Sequence, residues 1–184
     1  MVHTAVGYAK QRDRLSTWAV TASVGPGSTN MLTGAALATV NRIPVLLLPS
    51  GTLATRVSAP VLQELELPHA ADVSVNDAFR PLSRFYDQVD RPEQLPAALL
   101  GAMRVLADPV ETGAATISLP QDVQAEAFDW PAELFDDRVR AHRLAWGALL
   151  AVETAGDGRA VVESLIRRPE YANVRLVAAV NDLV

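Results

Sequence analysis

Apolar positions fall into short blocks along the chain, and the spacing inside each block differs. Val2, Val6 and Ala9 recur at helical intervals and line one side of an opening helix, which runs into the charged stretch 10–14 (KQRDR). Residues 17–23 (TWAVTAS) are rich in β-formers and predict a strand. Residues 31–40 are Ala- and Leu-rich and predict a buried helix. "RIPVLLLP" is a short continuous apolar run, the pattern of a strand buried on both faces. A helix is predicted over 57–67, stopped by Pro68, and a short strand over 72–75. Residues 91–107 form the clearest helix: Pro92 stands near its start, and Leu95, Leu99, Met103 and Leu106 repeat at helical spacing. "GAATISLP" predicts a further strand over 114–119. Strands alternating with helices imply βαβ units and a parallel sheet covered on both faces, an α/β fold.

From Asp122 the pattern breaks down. "QDVQAEAFDWPAELFDD" is acidic and interrupted by proline, like a segment leaving a domain. We therefore expect a domain over 1–137 and a tail of uncertain structure over 138–184. Within that tail, 146–152 and 174–180 suit strands and 160–168 suits a helix.

Composition narrows the chemistry. The chain has 184 residues, 49% of them hydrophobic and 20% charged, which suits one globular domain able to bury a sizeable core. A net charge of −5 and the lack of a basic run argue against nucleic acid as a partner. With no cysteine, disulfides and thiol chemistry are excluded. The first residues lack the apolar core of a signal peptide, and the longest apolar run, 43–48, is too short to span a bilayer. A cytoplasmic setting fits these features, with no membrane partner.

Between the first strand and the next helix lies "VGPGSTNMLTG", residues 24–34. It is not a Walker loop, because no lysine separates Gly27 from Ser28. It is not the dinucleotide fingerprint, because Asn30 stands where the third glycine is needed. A plain strand-to-helix turn explains the residue types: Gly25 and Gly27 permit tight backbone angles, and Ser28 or Thr29 caps the helix by accepting from its free N–H groups. It does not explain a proline between the two glycines.

The longer segment "TASVGPGSTNMLTGAALATVNRIPVLLLPSG" resembles the pyrimidine-binding domain of thiamine-diphosphate enzymes, the superfamily of the acetolactate synthases. The resemblance extends from Met1 to about Arg138. "VNDAFRPLSRFYDQVDRPEQL" and "ETGAATISLPQDVQAEAFDWP" are most similar to the trihydroxycyclohexane-dione hydrolases of myo-inositol breakdown. The resemblance implies a sheet of the pyrimidine-domain type lacking its first strands. It also implies a homo-oligomer with thiamine diphosphate between two subunits and a magnesium ion held with the diphosphate by a different domain. Gly25, Pro26 and Gly27 would sit against the pyrimidine, and Asn30 would face the cofactor or substrate, or support the turn. The implied reaction is hydrolysis of a C–C bond in a cyclic dione, with the cofactor as electron sink. An acetolactate synthase-like carboligase or decarboxylase is the alternative.

A departure from the family pattern sets further expectations. The glutamate that assists cofactor activation is expected immediately before Met1, with strands ahead of it, so no catalytic residue is assigned within this chain. By that reading the chain is a fragment inactive alone, or a non-catalytic gene product. Glu64 and Glu66 lie elsewhere in the pattern and read as solvated helix charges. In the tail, Asp157 of a Gly-Asp-Gly stretch and Asn181 fall near the spacing of the family's magnesium ligands, and both are suitable oxygen donors; a simple turn is the competing reading. Of the three histidines, His3 would face the cofactor or pack on the opening helix. His69 matches a histidine of the hydrolase pattern on a loop near the active site, with a substrate role or a surface place. His142 reads as solvated.

Overall fold

The computed structural model describes residues 1–55, 61–67, 69–70 and 73–131. The chain divides into two compact units, Met1–Phe128 and Asp129–Val184. Beyond 131 the second unit lies outside the described residues. The strands expected at 146–152 and 174–180, the helix at 160–168, and His142, Asp157 and Asn181 all fall there.

The first unit is built on a four-stranded, all-parallel sheet in the order β1-β2-β4-β3. Its strands are β1 (Ala19–Ala22), β2 (Val45–Gly51), β3 (Phe85–Gln88) and β4 (Ala114–Pro120). The longer helices are α1 (Val2–Gln11), α3 (Leu32–Val40) and α4 (Leu95–Ala107); α2 (Pro26–Thr29) and α5 (Gln121–Gln124) are single turns. Successive side chains of a strand point to opposite faces. Accordingly Val45 and Leu47 of β2 are buried with Val2 and Val6 of α1, Ala35 and Ala38 of α3, and Phe79. Leu46 and Leu48 pack instead against a second cluster that holds Ala98, Ala102 and Leu106 of α4. Helices thus cover both faces of the sheet, as the alternation of elements predicts.

Small residues set how closely the layers approach. A Cβ built on Gly34 of α3 would fall onto Val2 of α1, and one on Gly101 of α4 onto the ring of Phe85 in β3. α1 ends where Asp13 and Arg14 both take positive φ, 53° and 63°. Just beyond, Trp18 stacks on Tyr8 with ring centroids 4.6 Å apart, tying the helix to the start of β1.

Three elements differ from expectation. Residues 61–67, the described part of the helix expected at 57–67, are a turn and irregular chain. Gln63 has φ 67°, and Leu62, Leu65 and Leu67 are exposed, so helix formation there would bury no apolar face. Residues 73–75, the described part of the strand expected at 72–75, form no strand; a 3₁₀ helix, Val75–Leu82, starts there, with Ser74 and Asp77 forming a capping box. β3 was not anticipated: Phe85, Tyr86, Asp87 and Gln88 are all half-buried, so no alternation marks them. The clear helix begins as α4 at Leu95, after a 3₁₀ turn, Pro92–Gln94, whose Gln94 side-chain Oε1 accepts from the N–H groups of Asp90 and Arg91.

Candidate functional site

The glycine-rich turn leaves the carboxyl end of β1, the end of a parallel sheet where ligand crevices form. Gly25 has φ 59° and ψ −119°, a conformation that only glycine adopts readily. Its missing side chain is also a packing requirement. A Cβ there would run into the carbonyl oxygen of Gln63 and lie 3.4 Å from Cγ of Leu65. The 61–67 segment therefore lies directly on Gly25, fastened by Ser23 Oγ donating to Gln63 Oε1 at 2.8 Å. At Gly27 a Cβ would stand 3.1 Å from Cβ of Ser23, tighter than ordinary contact.

Gly25 is also the N-cap of α2, with no side chain capping it. The expected caps, Ser28 and Thr29, sit inside the turn, and their hydroxyls donate backwards instead of accepting. Ser28 Oγ donates to Ser23 O at 3.0 Å, with Ser50 O at 3.3 Å; Thr29 Oγ1 donates to Pro26 O at 3.1 Å. Pro26 and Asn30 are exposed, and Gly27 is half-buried. Among the described residues the Asn30 side chain makes no hydrogen bond. The turn thus exposes an apolar proline ring and a carboxamide with donors and an acceptor. Those features suit the apolar face and polar edge of an aminopyrimidine, and the residues present fit that part of the cofactor.

A polar seam, buried at Asn76 and Ser118, underlies the turn. Asn76, 2% exposed, donates from Nδ2 to Ser50 O at 3.1 Å and to Ser118 Oγ at 2.8 Å. Gln124 Nε2 donates to Ser50 Oγ at 3.2 Å and to Leu119 O at 2.6 Å. The ends of β2 and β4 are thereby joined to the 3₁₀ helix and to α5. The loop after β2 is held by Asp122, whose carboxylate accepts from the N–H groups of Ala54 at 2.9 Å and Thr55 at 3.3 Å. Partial burial pushes the Asp122 carboxyl up, but the backbone N–H groups of Ala54, Thr55 and Val123 outweigh it and hold it below the usual aspartate value. Burial, aided by the charge of Asp77, pushes the Tyr86 phenol above its usual value, against the Arg80 guanidinium 4.3 Å over its ring. None of this seam was identified from the sequence. Only the Ser74-x-x-Asp77 capping pattern was open to reading there.

The remaining candidates are dispersed. His3 is exposed on α1, so a packing role does not apply. His69 is exposed in a turn, and no hydrogen bond or ion pair among the described residues links it to 25–30. Glu64 and Glu66 are not helix charges. Glu64 accepts from the Val61 N–H, and Glu66 accepts from the Ser74 hydroxyl and the Val75 N–H, helping to start the 3₁₀ helix. Among the described residues no group of three or more His, Cys, Asp or Glu is arranged to hold a metal ion. No helix among them is long and apolar enough to cross a membrane.

Comparison with known proteins bears on this turn directly. Residues 1–71 match the family model described as thiamine pyrophosphate enzyme, N-terminal TPP binding domain. Over 144 residues, 78% of the chain, the sequence is 55% identical to a 3D-(3,5/4)-trihydroxycyclohexane-1,2-dione hydrolase of Geobacillus thermodenitrificans (strain NG80-2). It is 54% identical over the same length to proteins of that name in Bacillus thuringiensis (strain Al Hakam) and Bacillus cereus (strain 03BB102). The matched region spans 22% of the length of each of these relatives. The turn at 24–30, α3 and β2 all lie within the stretch matched by the family model. Residues 1–71 thus carry the pattern of the N-terminal TPP binding domain of thiamine pyrophosphate enzymes.

Proposed function

We propose that this chain supplies the pyrimidine-binding part of a thiamine-diphosphate-dependent hydrolase that opens the ring of a trihydroxycyclohexane-dione in myo-inositol breakdown. The observation that carries the reading is the turn 25–30 at the carboxyl end of β1, with Pro26 and Asn30 exposed, in a sequence 55% identical to a hydrolase of that name. In this reading Pro26 gives the pyrimidine an apolar surface, Gly25 and Gly27 give the turn the backbone shape that presents it, and Asn30 hydrogen-bonds at its edge. Once bound, thiamine diphosphate supplies an electron sink for C–C cleavage. His69 reaches toward the substrate, and a second copy of the protein completes the cofactor site in the cytoplasm. Magnesium and the diphosphate belong to a further domain.

The test exchanges the matched 144-residue segment into the Geobacillus hydrolase. The chimera is expected to hydrolyse the dione, and Asn30→Ala in it to weaken thiamine diphosphate binding about tenfold, the value of one hydrogen bond of ordinary strength. A chimera that folds and condenses pyruvate without hydrolysing the dione overturns the substrate reading in favour of a carboligase. A calorimetric titration of the 184-residue chain with thiamine diphosphate and magnesium tests the division of labour. No saturable binding is expected. Micromolar binding would move the diphosphate site into this chain and make Asp157 and Asn181 the next substitutions.

A further inference from the structure

The carbonyl oxygen of Ser50, at the end of β2, is approached by two donors from different elements. One is Ser28 Oγ of the glycine turn at 3.3 Å, its proton shared with Ser23 O at 3.0 Å; the other is Asn76 Nδ2 of the 3₁₀ helix at 3.1 Å. The second Nδ2 proton of Asn76 goes to Ser118 Oγ of β4 at 2.8 Å. Ser28, Asn76 and Ser118 are all fully or almost fully buried, at 0%, 2% and 0% exposure. A buried carboxamide has one well-satisfied orientation here, because turning it over would aim its oxygen at the Ser50 carbonyl. Ser50 itself is held from the other side, since its Oγ accepts from Gln124. The turn has few ties of its own: α2 is a single turn of helix without a side-chain cap, and Gly25 holds a conformation that only glycine adopts readily.

We infer that Asn76 is a positioning residue for the 25–30 turn. It locks the ends of β2 and β4 together and fixes the Ser50 carbonyl on which Ser28 of the turn rests. It does not touch the ligand; it sets where Pro26 and Asn30 stand. The inference rests on the turn being the cofactor turn, so its test is made first without cofactor. Amide hydrogen exchange is measured on the full 184-residue chain. The reporters are the N–H groups of Thr29, Asn30 and Met31, bonded to Gly25 O at 3.0 Å, Pro26 O at 3.1 Å and Ser28 O at 2.9 Å. Amides in the middle of α4 report opening of the whole domain.

In Asn76→Ala the three turn amides are expected to lose about tenfold more protection than the α4 amides. Equal losses in turn and α4, or no loss, overturn the inference and leave Asn76 an ordinary core residue. Ser118→Ala is the milder variant should Asn76→Ala not fold. It removes one partner and leaves the bond to Ser50, and a smaller loss confined to the turn is expected; an unchanged turn overturns the inference. The same variants in the chimera separate the two readings. Selective loosening with weakened thiamine diphosphate binding supports both. Selective loosening with cofactor affinity unchanged keeps Asn76 as the support of the turn and removes the turn from the cofactor site.

Discussion

At the scale of single residues, two glycines show opposite uses of a missing side chain. Gly25 is required by its backbone angles and by the Gln63 carbonyl lying over it. Gly25→Ala is expected to cost more than about 2 kcal/mol, combining backbone strain with displacement of a neighbouring carbonyl. Gly7 in the middle of α1 is exposed, and a Cβ there meets nothing within 4 Å. Gly7→Ala is expected to stabilise by about 0.5–1 kcal/mol through helix propensity alone. Urea unfolding of the two variants checks both signs. Asp122 makes a pH-dependent prediction. Its folded-state pKa is depressed, so its contribution is present above the ordinary aspartate value and is lost as pH falls through the lower folded value. Asp122→Asn is expected to cost about 1 kcal/mol at neutral pH, as the loss of a capping carboxylate does, and to flatten the decline of stability below the ordinary aspartate pKa. Urea midpoints across an acid pH series measure it.

At the scale of elements, legibility followed burial. α3, α4, β2 and β4 were anticipated because each buries a continuous face, and burial is what periodicity records. β3 escaped because its four residues are half-buried on both sides. Its place depends on contacts distant in sequence: Phe85 lies under Gly101 of α4, and Arg80 lies over Tyr86. Gly101→Ala would drive a methyl into the Phe85 ring. It is expected to destabilise by about 1–3 kcal/mol, as overpacking does, and Phe85→Leu in the same chain is expected to recover part of the loss. Thermal unfolding of the single and double variants tests the coupling. Residues 61–67, the described part of the helix expected over 57–67, show the converse. Leucines at 62, 65 and 67 look like core residues in a sequence, yet here they are exposed on a segment tied to Gly25.

At the scale of the whole molecule, β2 is the axis of the first unit. It pairs with β1 and β4, its odd-numbered residues Val45 and Leu47 enter one core, and Leu46 and Leu48 pack on the other. Leu47 is completely buried, so Leu47→Ala is expected to cost about 2–5 kcal/mol, measurable as a lower midpoint in urea. What the sequence determined by itself is local: the run of β2, the helical spacing of α4, the glycine-proline-glycine turn and its family likeness. All of these are patterns readable within a dozen neighbouring residues. The tertiary structure alone decided which residues support that turn. Ser50, Asn76 and Ser118 are brought together across 26 and 42 positions, and a buried hydrogen bond over such separations leaves no periodic mark on the chain. It likewise decided that Gln63 covers Gly25, because a backbone carbonyl needs no particular side chain to occupy the space a glycine leaves.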